Sequence, residues 1–234
     1  MRSKALALAV LVLALVVSGP AGSVIVSTSG SLVETTSPIS LLEGDTESST
    51  EFVILDEGPT VLSGEIFVNK VGPGLHTGSS GTPIPIATGT LVNTYIVHFD
   101  PAGGVITLSG GVTFEPDEII LGIQTHTPWL DGADGIVGDP MTTYPTGLLE
   151  FRAFESLPGL DSLTIDPSLE SVSFTLIAEL GIDQARIVTT VVPEPGTASL
   201  LALGLGALAL RGKPAGVRRP RSLRRGGRRP RCTP

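Results

Sequence analysis

From Thr50 to Val191 the chain never runs ten residues in helical periodicity without meeting a glycine or a proline, and its short apolar runs are separated by Gly, Pro, Asp and Asn at close spacing. Glycine costs backbone entropy in a helix interior and proline removes a donor there, so long helices are excluded. Short apolar segments with frequent turn residues are the pattern of an all-β sandwich or barrel. Strands are expected at Glu51–Leu55, Thr60–Asn69, Thr90–Phe99, Val105–Leu108, Gly111–Phe114, Ile119–Gln124, Gly147–Phe154, Ser162–Ile165, Val172–Glu179 and Gln184–Val191. In Leu91–Phe99 both alternating faces are apolar, which predicts a central strand. Ser109, Gly110 and Gly111 read as a hairpin-like reversal. Pro83 and Pro85, alternating with Ile84 and Ile86, suit an edge segment. No repeat at a fixed period is present, which argues against solenoids and propellers. The expected fold is a single β-sandwich, jelly-roll-like, over residues 24–191, with residues 24–49 giving one short strand and a mobile lead-in.

Both ends of the chain depart from this pattern. Arg2 and Lys4 precede an apolar run from Ala5 to Val17, followed by a break and small residues to Ser23. That is the layout of a secretory signal peptide, assigned to residues 1–23 with an N-terminal signal helix. At the other end, Pro193, Glu194 and Pro195 form an extended tripeptide that resists both helix and sheet. An apolar run follows from Thr197 to Leu210, and ten basic residues follow Leu210, among them Arg211, Lys213, Arg218 and Arg219. Fourteen helical residues span roughly 21 Å against a hydrocarbon core of about 30 Å. The run therefore reads as a short transmembrane helix whose flanking Arg211 and Lys213 reach the headgroups. By the positive-inside rule the basic tail, residues 211–231, stays cytoplasmic and the body lies outside.

The tripeptide, the short leucine and glycine run and the arginines after it, in this order at the chain end, resemble the PEP-CTERM sorting signal of Gram-negative bacteria that make extracellular polysaccharide. The resemblance covers residues 192–231. It implies recognition of Pro193, Glu194 and Pro195 by an exosortase, a membrane-embedded cysteine peptidase, then removal or exchange of the membrane anchor and delivery to the cell surface or matrix. The tail departs from the usual pattern by continuing to Pro234. Within the body, Tyr95–Asp100, Ile120–Ile123 and the Leu130–Leu149 stretch resemble β-rich ectodomains that bear the same sorting tail. That likeness implies a shared fold and no particular activity.

Charge is divided unevenly between these parts. Residues 24–191 hold 22 acidic residues against three basic ones, Lys70, Arg152 and Arg186, a formal charge of −19 that the whole-chain value of −8 conceals. Such a body is not expected to bind nucleic acid or an anionic membrane. The single cysteine, Cys232, lies in the tail, so the exported part has no disulfide and relies on its core.

The stretch Thr125–Gly147 holds the most suggestive side chains. Asp131, Asp134 and Asp139 in a glycine-rich loop offer oxygen ligands of the kind calcium takes, although their spacing does not match an EF-hand. The alternative is an acidic loop whose aspartates stabilise turns. Trp129 and Tyr144 offer aromatic faces for a sugar ring, or Trp129 plugs one end of the sandwich. For catalysis the sequence offers little: His76, His98 and His126 lack ligand spacing, and no nucleophile elbow, zinc pair or phosphate loop is present. The expected function is a non-catalytic structural or adhesive protein of the surface or polysaccharide matrix, with a calcium-dependent carbohydrate-binding module as the alternative and a glycan hydrolase as a distant third.

Overall fold

The computed structural model describes residues 25–37, 39–116, 118–147, 152–154, 161–178 and 181–190. The signal segment 1–23, the sorting tripeptide, the apolar run 197–210 and the basic tail lie outside the described residues. Among those described, no helix is long and apolar enough to cross a membrane.

Among the described residues of the body there are twelve strands and one helix. The strands are β1 (Ile25–Gly30), β2 (Leu32–Thr35), β3 (Phe52–Val61), β4 (Ile66–Val68), β5 (Gly74–Thr77), β6 (Ile84–Ile86), β7 (Leu91–Phe99), β8 (Ile106–Phe114), β9 (Ile120–Gln124), β10 (Ser162–Ile165), β11 (Ser171–Ala178) and β12 (Asp183–Thr190), with helix α1 (Thr127–Val137) between β9 and β10. One five-stranded sheet has the order β1-β8-β11-β10-β5, a second has the order β2-β3-β7-β12-β9, and β4 pairs with β6. Alternating residues of the two large sheets meet in one core containing Phe52, Tyr95, Phe99, Phe114, Phe174 and Ile187. The Phe52 ring meets Phe174 edge-on at 6.5 Å, and Tyr95 lies 4.6 Å from Phe114, so the inner faces interdigitate.

The outer face of the second sheet is covered as well. Val92 of β7 and Val188 of β12 pack with Ala133 and Val137 of α1 and with Ile66 and Val68 of β4. Leu55 and Ile96 pack with Leu41 and Leu130. Strands β7 and β12 are therefore buried on both faces, as the doubly apolar Leu91–Phe99 pattern predicts. The edge reading of the Pro83–Pro85 segment also agrees, because β6 pairs with β4 alone.

Several expectations change. The strand order departs from a jelly roll, which sets its first and last strands side by side. Here β1 and β12 lie in different sheets, and β2 runs parallel to β3. Residues 25–37 and 39–49 are not a mobile lead-in: β1 and β2 are ladder strands, Leu41 is fully buried, and Gly44 and Ser48 donate their N–H groups to Asp100. The Thr60–Asn69 strand is split between β3 and β4. Of the expected strand at Gly147–Phe154, the described residues 147 and 152–154 are not strand.

Gly110 and Gly111 do not reverse the chain. They lie inside β8, where Gly30 pairs with Gly110 and Ser29 with Gly111. A Cβ on Gly110 would stand 2.6 Å from the Ser29 carbonyl oxygen and 2.7 Å from the Leu32 nitrogen, so these glycines let the corner between β1 and β2 approach β8. Gly110→Ala is expected to destabilise the fold by at least about 2 kcal/mol, the scale of overpacking in a tight core. Gly135→Ala, where a Cβ in α1 meets nothing within 4 Å, should stabilise it by roughly 0.5–1 kcal/mol. Urea unfolding of both variants checks the pair; a neutral Gly110→Ala would contradict the close approach.

Candidate functional site: a buried arginine network

All three cations of the body are inside it. Lys70 is 4% exposed, and Arg152 and Arg186 are 0% exposed. A guanidinium cannot shed its proton to escape burial, so each arginine needs carboxylates and acceptors around it.

Arg186 lies in the middle of β12 and points to the α1 side of its sheet. Its Nε donates to Glu57 Oε2 at 2.8 Å and its Nη2 to Glu57 Oε1 at 2.9 Å, a two-pronged pair across strands. Nη2 also donates to Asp134 Oδ1 at 2.8 Å, and Nη1 to the Leu130 carbonyl at 3.3 Å. The Tyr144 ring stands 5.6 Å from the guanidinium carbon. Glu57 reaches this point because β3 bulges between Asp56 and Gly58, where Gly58 has φ of +81° and its N–H bonds Asp56 Oδ1 at 2.7 Å.

Arg152 completes the arrangement from the segment after α1. Its Nη1 donates to Asp131 Oδ1 and Asp134 Oδ2, both at 2.7 Å, and its Nε to Gln184 Oε1 at 2.7 Å. Gln184 passes a hydrogen bond to His98 Nδ1 at 2.8 Å, and His98 Nε2 contacts Thr46 Oγ1 at 2.7 Å. With Nδ1 accepting, His98 is neutral and its Nε2 donates. Burial and the Arg152 charge push its pKa down to about 3. Burial alone would raise the Asp134 carboxyl, but the hydrogen bond from Arg152, the charges of Arg186 and Arg152 and the Thr146 hydroxyl hold it below the usual carboxylate range.

The local sequence explains the convergence. Pro128 sits in the first turn of α1, and Asp131 and Asp134 are three residues apart, on one helix face. Leu130, Ala133 and Val137 anchor the helix on the sheet. Thr125–Gly147 therefore carries Asp131 and Asp134 on a helix, Thr127–Val137, rather than in an open loop.

The residues singled out from sequence are redistributed by this geometry. Asp131 and Asp134 meet at Arg152, whereas Asp139 uses Oδ1 to accept the Met141 N–H at 2.7 Å. Among the described residues no three His, Cys, Asp or Glu side chains gather as a metal site. Asp134 faces two guanidiniums, which repel a cation. Tyr144 donates its hydroxyl to Glu57 Oε1 at 2.7 Å and accepts the Asp139 N–H at 2.8 Å. Trp129 lies in the first turn of the helix, half-buried, with its ring 4.6 Å from His126. Tyr144 lies beside Gly138 at the other end, so the two aromatics do not share a platform. The sorting residues Pro193, Glu194 and Pro195 and the basic residues Arg211, Lys213, Arg218 and Arg219 lie outside the described residues.

Sequence reasoning counted the three cations but did not place them. Arg186 stands inside the apolar run Ala185–Arg186–Ile187–Val188, and a charge there signals a buried ion pair. Lys70 is a separate anchor: Nζ donates to the carbonyls of Thr77, at 3.0 Å, and of Ser80, and burial lowers its pKa.

Residues 191–219 match the PEP-CTERM protein-sorting motif. The match takes in the tripeptide, the apolar run and all four basic residues named above. It implies recognition by an exosortase and export to the cell envelope. No curated protein and no solved structure gives a match to this chain.

Two outcomes follow from the network. Arg186→Met leaves Glu57 buried without its counter-charge, while Asp134 keeps Arg152, and is expected to cost about 3–5 kcal/mol in denaturant unfolding; a cost under 1 kcal/mol would show that the pair is not held inside. Asp56 behaves in the opposite sense. Burial, together with the charges of Glu118, Glu34 and Glu57, pushes its pKa up to about 6. Ionising it opposes folding, a cost fully present above about pH 6 and absent below about pH 4. Asp56→Asn keeps the acceptor for Gly58, so it should stabilise the protein by about 1–2 kcal/mol at pH 8, allowing for solvent screening, and by nothing at pH 4. A pH-independent difference would contradict the assignment.

Proposed function

We infer that this chain is an exported, non-catalytic protein with a structural or adhesive role at the cell surface or in the extracellular matrix, delivered there by exosortase action at its C-terminal motif. The observation that carries the reading is the sorting-motif match beginning at residue 191, directly after Thr190, the final residue of β12. Only Val191 and Val192 separate that strand from Pro193. The motif thus follows a complete folded unit, the arrangement expected of a sorting tag on a cargo.

The chemistry of the body supports a non-catalytic role. Several of its perturbed groups are tied into pairs that hold the fold: Asp134 to two arginines, His98 between Thr46 and Gln184, and Tyr95 to Glu118 Oε1 at 2.7 Å. Burial and the adjoining Glu118 carboxylate raise the Tyr95 hydroxyl. A general base has to be free to take a proton from substrate, and these groups are committed elsewhere. The surface supports solubility in a hydrated matrix. With every body cation buried, exposed acids such as Glu43, Asp45, Glu47 and Glu51 stand without basic neighbours on the outside.

Replacing Pro193, Glu194 and Pro195 by alanine in the exosortase-bearing host is expected to leave the chain at full precursor mass in the membrane fraction, while the parent chain is shortened at its C-terminus and leaves that fraction. Pulse-chase labelling with mass spectrometry reads this out. Equal processing of the two chains would refute the sorting reading.

A further inference from the structure

The outward side of the β1-β8-β11-β10-β5 sheet differs from the rest of the surface. Reading across it by register, Ser27 stands beside Thr113 and Ser171; Ser29 beside Gly111, Ser173, Thr164 and Leu75; and Ser109 beside Thr175, Ser162 and Thr77. These outward positions carry no ionisable side chain, although 22 acids are distributed over the body. Neighbours on adjacent strands are about 4.8 Å apart and alternate residues along a strand about 6.8 Å apart, so the face is a grid of hydroxyls. Within it lies a depression of about 190 Å³ lined by Ser29, Gly111, Thr113, Thr164, Ser171 and Ser173, with the exposed Asp166 at its rim. At Gly111 no side chain projects into it; a Cβ there would sit 3.3 Å from Ser29 Oγ and 3.0 Å from the Val172 carbonyl oxygen.

We propose that this face binds an uncharged, polyhydroxylated chain, a neutral glycan. Charge selects the occupant. An anionic polymer is repelled by a body of formal charge −19 whose cations are all buried, and a cationic partner is drawn to the acidic remainder rather than to this neutral sheet. Hydroxyls donate and accept, so they pair with sugar hydroxyls in either sense. A second copy of the chain fits less well. The grid measures roughly 20 by 20 Å, so two stacked copies would bury about 800 Å² in total, below the roughly 1,000 Å² expected of a stable interface, and serine is depleted in such interfaces. Hydroxyl contacts replace water contacts at little net gain, so binding is weak per site and grows with the length of glycan that the grid engages. The proposal deepens the matrix role inferred above, but sorting can hold where this fails, because the two are read out separately.

The test is affinity electrophoresis of the full chain in mild detergent, through gels containing hydroxyethyl cellulose, dextran or alginate. The expected result is at least a two-fold slowing by one of the two neutral glycans and none by alginate. Thr113→Val with Ser173→Val, which removes both hydroxyls and keeps strand propensity, should restore the mobility seen without glycan, as should Ser173→Asp, while Trp129→Ala on the opposite layer should not. The proposal is overturned if neither neutral glycan slows the chain. It is equally overturned if the folded valine and aspartate variants are slowed like the parent, or if only Trp129→Ala abolishes slowing. Loss of an oligomer in the valine variant without change in glycan mobility would make the face a self-interface instead.

Discussion

The structure depends on the guanidinium of Arg186, fixed between Glu57 and Asp134 inside the molecule. Desolvating a charge costs several kcal/mol, and only good geometry with further hydrogen bonds offsets that cost. Here the geometry is two-pronged toward Glu57, and the Leu130 carbonyl takes a further donor. The acceptors come from two elements: Glu57 from the bulge of β3, Asp134 and Leu130 from α1. Arg152 then joins the same helix face to Gln184, two residues before Arg186 on β12. The helix layer is thus positioned on its sheet by directional bonds as well as by the apolar contacts of Leu130, Ala133 and Val137. Apolar contact alone tolerates sliding; charge-assisted hydrogen bonds do not.

Drawing every cation inward also determines the outside. A body of this composition presents acids, neutral hydroxyls and scattered aliphatics such as Val61 and Leu91 to solvent, with no basic patch among the described residues. It repels polyanions, and among the described residues the open side of the first sheet is a neutral surface. Strand β12 links this interior to the export signal. It is paired on both sides, by β7 and β9, and the sorting motif begins immediately beyond its last residue.

Much of the fold was legible because it rests on local pattern. The doubly apolar Leu91–Phe99 run could only be a central strand, and the alternating prolines at 83 and 85 could only sit where ladder donors are not needed. Helix α1 was hidden by Gly132 and Gly135, whose low propensity is overridden by the tertiary anchoring of Leu130, Ala133 and Val137 and by the two aspartates bound to Arg152. Gly110 and Gly111 carry the pattern of turn residues because glycine serves both turns and close approach, and only the partner strand tells which. The acidic stretch looked like ligands for an external cation, since the aspartates are near in sequence while their counter-ions, Arg152 and Arg186, are far from them. One clue was present: an arginine embedded in Ala185–Val188, where no exposed strand would leave its neighbours so uniformly apolar.

The central claim, that the body's three cations are structural and interior, can be tested by mass-spectrometric mapping of arginine and lysine modification on the native full chain, using phenylglyoxal and an amine acylating reagent. The account predicts that Arg152, Arg186 and Lys70 stay unmodified until denaturant unfolds the chain, and then react together in one cooperative step. Native-state modification of Arg186 at the rate seen in the denatured chain would contradict it.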